Sequence, residues 1–348
     1  MEKKFMNSMY TPNLTYTYPG KLTTDLLDPA TVNTPSLSSL FDIRQGIRCG
    51  EYVNIMQPLT SVLTKGTADC APTYTQSGTI TDRKIETGPF EVNVSWCKKE
   101  FAAICNALSD SDLIGDGLSG YELGGTLRTK IFTNITDAMR RDIFKVMFLG
   151  NNSLGSGSTN IYSAIDGVFT AFFDGAGSYC VEPIDNSLPN QHNSVLATNQ
   201  ARDTFRLLWG NSSTLLKQLP ANQKAIWVSG SMWENYYDSI INDCCVEGAW
   251  VAGQNGLGDR LLYRGVELIP LWILDEALES DTTNPYYDVI RHFAVYTAKN
   301  NHIMGVENSA DLNKLEMCYD CRTKETLIQG EMRFGYQYVL CDLISWAK

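Results

Sequence analysis

Apolar positions along the chain fall into segments of distinct period. Leu123, Leu127, Ile131, Ile135, Met139, Ile143 and Met147 recur at i,i+4, and Phe132, Phe144 and Phe148 widen the stripe. This predicts one long helix over about residues 121–150, closed by Gly150-Asn151-Asn152. A helix of that length needs a long surface to lie on. Upstream, Phe90-Glu91-Val92-Asn93-Val94-Ser95-Trp96 alternates with period two, and Tyr52, Asn54 and Met56 alternate with Val53, Ile55 and Gln57. These predict two strands. Leu63 to Thr79, between them, is rich in Thr, Gly and Ser. So long an excursion inside a compact domain is usually functional. Residues 98–109 predict a short helix, followed by a glycine-rich break.

Downstream the pattern mixes both periods. Ile161 to Phe173 is an apolar run, and TNQARDTFRLLWGNSSTLLKQL reads as helix broken at Gly210. Ala225–Val228 is a short buried strand. Ser231 and Glu234 form a capping box for a helix faced by Met232, Tyr236 and Ile240. Asn255-Gly256 marks a turn, and RLLYRGVELIPLW predicts one strand. His292–Thr297, Leu315–Tyr319, Thr326–Met332 and Tyr336–Leu340 predict strands up to the C-terminus. No internal repeat appears, which disfavours solenoids and propellers. The fold class expected is α+β. Residues 1 to about 40 have no sustained period, as in a disordered segment or an extended arm lying on a neighbour; their scattered Leu22, Leu26, Leu27, Leu37, Leu40 and Phe41 favour an arm that docks.

Composition narrows the function. The 348 residues are 43% hydrophobic and 19% charged, an ordinary globular balance. A net charge of -11 argues against a sequence-reading nucleic-acid binder. It is compatible with a container that encloses nucleic acid without gripping every phosphate. The N-terminus has two lysines but no apolar run after them, so no signal peptide is expected, and no run approaches the ~20 apolar residues of a membrane span. A chain made and kept in the cytoplasm follows as an expectation. The ten cysteines are then expected as reduced thiols, with Cys105 and Cys341 as buried small hydrophobes.

Catalytic and metal motifs are mostly missing. Cys318-Tyr319-Asp320-Cys321 is a single CxxC, whereas a structural zinc site needs four ligands, and His192, His292 and His302 are scattered. It ends a strand pattern, where a redox pair should open a helix. The Asp110-Ser111-Asp112 loop fails the calcium pattern at Ile114 and Tyr121. The glycine spacing from Gly150 lacks the lysine of a phosphate loop and follows a helix. No cofactor is expected. Lys84, with Asn151 or Asn152, is a candidate for inter-subunit cross-linking, with solvated loop residues as the plainer reading. Lys3-Lys4 and Arg140-Arg141 are candidate DNA-facing spots, again weighed against a solvated face.

The order of parts carries a resemblance. A long β excursion closes in TDRKIETGPFEVNVSWCKKEF, a long helix ends at Gly150, QKAIWVSGSMWENYYDSI sits in an α+β unit, YRGVELIPLW follows, and FGYQYVLCDLISWAK ends the chain. This order, over roughly residues 20–348, resembles the Hong Kong 97 fold of tailed-phage major capsid proteins. The resemblance implies an N-terminal arm (1–48), an E-loop hairpin (49–97) and a P-domain (98–190) with its spine helix at about 121–150. It further implies an A-domain (191–300) and C-terminal strands (301–348) returning to the P-domain. It implies a structural, non-enzymatic subunit that assembles with itself into hexamers and pentamers of an icosahedral virion shell around double-stranded DNA. Portal, scaffold and decoration proteins are the other implied partners. Candidate assembly residues are Leu26, Leu27, Lys84, Ile85, Phe90 and Trp96. The arm begins close to Met1, so a separate scaffold or a mature chain is expected. An encapsulin compartment and a soluble enzyme using Cys318 and Cys321 are the alternatives.

Overall fold

The computed structural model describes residues 36–48, 50–56, 80–97, 125–155, 160–173, 184, 194–242, 250–251, 260–287, 289–308, 315–320, 322 and 325–348. The arm with Lys3, Lys4, Leu26 and Leu27, most of the β excursion, the helix expected at 98–109, the Asp110 loop, the Asn255-Gly256 turn and Cys321 lie outside the described residues. In chain order the elements are α1 (Leu37–Leu40), β1 (Asp42–Gln45), β2 (Glu51–Met56), β3 (Ile80–Ile85), β4 (Gly88–Cys97) and α2 (Gly125–Leu149). Then come α3 (Val168–Phe173), α4 (Gln200–Asn211), α5 (Thr214–Gln218), β5 (Lys224–Val228) and α6 (Gly230–Asn242). The chain continues with β6 (Trp250–Val251), β7 (Arg260–Tyr263), β8 (Val266–Pro270), α7 (Trp272–Ser280), β9 (Ala294–Ala298) and β10 (His302–Val306). It closes with β11 (Glu316–Asp320), β12 (Glu325–Tyr338) and β13 (Ile344–Ala347). The chain divides into two compact units, and the division falls within α2 and within β12.

The larger unit spans Thr34–Gly88, Lys145–Val306 and Phe334–Lys348. Its six-stranded sheet has the order β13-β9-β5-β8-β7-β6. β5 runs parallel to β8 and antiparallel to β9. All five residues of β5 are buried because the strand is central and covered on both faces. Ile226 and Val228 pack with Phe205, Leu208 and Tyr236 of α4 and α6. Trp227, one residue out of phase, meets Phe148 and Phe41 on the other face. The strand expected from RLLYRGVELIPLW is instead a hairpin. Arg264 and Gly265, at φ 51° and 80°, make the two-residue turn between β7 and β8.

Serines close α4 and open α5 and α6. Ser229 Oγ accepts the Met232 N–H, so the cap of α6 lies two residues before the expected Ser231. Gly230 is required at this start, since a Cβ there would overlap the Trp272 ring and the Asp275 carboxylate. The α4–α5 break falls at Ser212–Ser213 and not at Gly210, with Ser213 Oγ accepting the Leu216 N–H.

A second set of strands in the same unit supports a two-stranded ribbon. β1 pairs parallel with β10, and β10 pairs antiparallel with the Phe334–Tyr338 end of β12. The ribbon is β2 against β3, from Glu51↔Ile85 to Met56↔Ile80. The partner of the first predicted strand is therefore Ile80–Ile85 and not the Phe90–Trp96 segment, which belongs to β4 and pairs with β12. Ile47, Val53, Ile85 and Ile303 form the small core under the ribbon. Gly335 lets the Glu86 backbone pass, because a Cβ there would overlap the Glu86 carbonyl.

The smaller unit comprises the described parts of Pro89–Phe144 and Glu307–Arg333. β11 pairs antiparallel with the start of β12, from Glu316↔Gln329 to Asp320↔Glu325. Ile135, Met139, Ile143 and Phe144 are the buried stripe of α2 in this unit, as their spacing predicts.

Candidate assembly surfaces

Period two gives the β2–β3 ribbon an inner and an outer face. Val53 and Ile85 are buried on the inner face, where the Arg83 guanidinium lies 4.1 Å over the Tyr338 ring and donates to Cys341 Sγ at 3.0 Å. Ile85, expected as an assembly contact, is 0% exposed and is a core residue of its own unit. The outer face carries Tyr52 and Ile80, 61% and 69% exposed, and Lys84 is the direct cross-strand partner of Tyr52. Lys84 Nζ donates to Glu86 Oε1 at 2.6 Å, and that hydrogen bond raises its pKa. Asn151 is occupied as a cap, its Oδ1 accepting the Ser153 N–H at 2.9 Å. A two-stranded ribbon is marginal alone, so large apolar side chains on its outer face mark a surface waiting for cover.

The other predicted residues are dispersed. Phe90, partly buried in β4, borders a cavity of about 560 Å³ together with Met332, Glu307, Glu331 and Arg333. Trp96 belongs to β4, and its side chain lies outside the described residues. On α2, Arg140 is exposed and paired with Asp137 at 3.6 Å, while Arg141 is partly buried.

Polar groups inside the larger unit are structural ties that sequence reading missed. His302 Nε2 lies 2.8 Å from Thr297 Oγ1, and its Nδ1 lies 2.7 Å from the Tyr336 hydroxyl. Thr297 Oγ1 donates to the Leu343 carbonyl at 3.1 Å. Each donor is used once if Nε2–H donates to Thr297 and Tyr336 donates to Nδ1, which keeps the imidazole neutral. Burial pushes its pKa down to about 3 and holds that of Tyr336 well above the usual phenol value. Ser231 Oγ meets His292 Nδ1 at 2.6 Å, and His292 Nε2 donates to the Ser194 carbonyl at 3.0 Å. With His292 only 2% exposed and a backbone carbonyl where a triad has a carboxylate, this pair fastens the start of α6. Asp275 Oδ2 accepts the Gly230 N–H at 2.8 Å. Burial pushes its pKa up to about 7; the Gly230 bond and Arg291 oppose the rise, and Glu279 and Glu234 add to it.

Among the described residues no group of three or more His, Cys, Asp or Glu is placed to hold a metal. Cys318 is a free, exposed thiol on β11. Cys341, expected reduced, is disulfide-bonded. No helix among the described residues is long and apolar enough to cross a membrane.

No protein-family model matches the chain, and no curated protein matches it. Solved structures do. The capsid asymmetric unit of cyanophage A-1(L) superposes with a TM-score of 0.53 at 12% identity, covering 95% of this chain and 96% of the other. The chain has a phage capsid fold. The capsid of an empty GTA particle gives a TM-score of 0.53 at 12% identity, over 92% of this chain and 98% of the other. The capsid of cyanophage P-SCSP1u gives 0.51 at 12% identity, over 95% and 91%. The α+β, Hong Kong 97-type class expected from the order of elements is the class found.

Proposed function

We propose that the chain is the repeating subunit of a tailed-phage-type icosahedral head, a structural protein of the virion. One observation carries the reading: a capsid fold matched over nearly the full length of both chains. The ribbon's exposed Tyr52 and Ile80 support it, because they need a surface that the ribbon's own unit leaves uncovered. In this reading β2–β3 is the base of the E-loop, α2 is the spine helix, and the six-stranded sheet is the centre of the A-domain. Copies of the chain meet as hexamers and pentamers through heterologous interfaces that close into a shell. Portal, scaffold and decoration proteins are its partners, and it encloses double-stranded DNA without reading sequence. The acidic chain presents packaged DNA with a weakly repelling wall, relieved locally at Arg140 and Arg141. Sedimentation of the purified chain with and without a candidate scaffold tests the reading: rings or shells support it, and a persistent monomer opposes it. Neighbouring genes for portal, large terminase and prohead protease separate it from an encapsulin, whose gene sits beside that of an enzyme cargo.

A further inference from the structure

The outer side of α6 carries two rows of opposite character. Met232 and Tyr236 point into the core. Trp233, Tyr237 and Ile241 recur at i,i+4 along one edge of that buried side, and Glu234 and Asp238 make the next row, one residue on. The apolar row ends in the open: Trp233 and Tyr237 are partly buried, and Ile241 is 59% exposed. Trp272, at the start of α7 and 37% exposed, extends it. Its ring lies 5.7 Å from that of Trp233 at 65°, and Trp233 and Tyr237 are stacked at 5.3 Å. The rim of this aromatic row is acidic. Glu234 and Asp238 are exposed and form no ion pair with any described residue. Glu276 and Glu279, on the outer side of α7, pair with Lys145 at 3.5 Å and Arg291 at 2.6 Å, and in both pairs the carboxylate is the more exposed member. Behind them lies Asp275: after burial, the charges of Glu279 and Glu234 raise its pKa, so carboxylates of α6 and α7 share one junction.

We propose that this α6–α7 face is a docking surface for a basic segment of a partner protein, one in which arginines or lysines alternate with apolar side chains. Charge complementarity supplies the occupant. Its cations lie against the Trp272 and Tyr237 rings and pair with Glu234 and Asp238, and the apolar residues between them cover Ile241. Aromatic anchors inside a charged rim are what a protein interface is built from. The same carboxylates repel a phosphate backbone. Two copies of this face laid against each other set carboxylate against carboxylate, so the face is not self-complementary. The contact requires only the folded chain and is independent of shell formation.

The test is fluorescence anisotropy of a labelled synthetic peptide of alternating arginine and leucine, titrated with the full-length chain. The expected result is saturable one-to-one binding that weakens about tenfold in Glu234→Gln/Asp238→Asn, the scale of one lost interfacial charge interaction. Ile241→Ser weakens it about fivefold through lost apolar burial. Asp203→Asn/Asp342→Asn, which removes two exposed carboxylates elsewhere on the chain, binds as wild type does. Equal weakening in both double variants makes the attraction a general effect of charge and overturns the proposal, as does the absence of saturable binding. Binding that survives Glu234→Gln/Asp238→Asn and is displaced by a neutral oligosaccharide assigns the rings to a sugar and overturns it too. Self-association of the wild-type chain that this variant abolishes makes the occupant a second copy, which also overturns it. If a variant does not fold, carbodiimide cross-linking of a lysine-leucine peptide to the wild-type chain decides. A link to Glu234 or Asp238 supports the proposal, and links only to other carboxylates overturn it.

Discussion

Asp275→Asn should stabilise the unassembled subunit above neutral pH. The carboxylate is partly buried between the starts of α6 and α7, and among the described residues only the Gly230 N–H bonds it. Burial raises its pKa from 3.8 to about 7, so the folded chain holds a proton there that the unfolded chain has lost. Between about pH 4 and pH 7 the folded state therefore binds more protons, and stability falls as pH rises through that window. At about 1.4 kcal/mol per pKa unit the penalty is at most about 4 kcal/mol. Partial exposure and the positive end of α6 reduce it to about 1–3 kcal/mol. Asparagine keeps an oxygen for the Gly230 N–H and never ionises. Urea unfolding followed by tryptophan fluorescence, with Trp233 and Trp272 at this junction 5.7 Å apart, reads the effect. The variant should match wild type near pH 4 and exceed it at pH 8. A variant weaker than wild type at pH 8, or a difference that does not change with pH, refutes the reasoning.

Other substitutions probe the ties and surfaces around it. His302→Ala should cost about 2–4 kcal/mol at pH 7, from a cavity and the stranded Tyr336 hydroxyl, measured by denaturant unfolding. Because burial holds the His302 pKa at about 3, below its ordinary 6.5, wild type keeps this contribution above about pH 6.5 and loses it as pH falls toward 3. Removing the ring should flatten that limb of the pH profile. Gly335→Ala should cost more than about 2 kcal/mol, since the Glu86 backbone occupies the space its methyl needs; a melting temperature equal to wild type contradicts this. Changing Arg140 and Arg141 to Glu should lower the nuclease-protected DNA content and leave empty shells intact; loss of shells assigns the pair a structural role.

Much of this architecture is legible in the sequence where one physical pattern dominates. The i,i+4 stripe of α2 is unmistakable because a long helix buries a single face. β5 reads as a buried strand because KAIWV is central in its sheet. β3 escapes because Arg83 shares its inner face with Ile85, partly buried by stacking on Tyr338, which no local pattern announces. The β7–β8 hairpin hides because arginine, and not asparagine, takes the left-handed first position of the turn. β12 reads as two strands because Gly335 looks like a break, yet it is kept small for the Glu86 backbone. Of the residues singled out in advance, Lys84 lies on the ribbon's outer face and Phe90 on a cavity wall, whereas Ile85 is core.

The central claim is that this chain builds a closed shell. Negative-stain electron microscopy of the chain, expressed alone and together with its neighbouring genes, tests it most directly. The account predicts closed shells, or rings of five and six subunits. A monomer that forms no rings, sheets or shells, even beside a candidate scaffold, contradicts it.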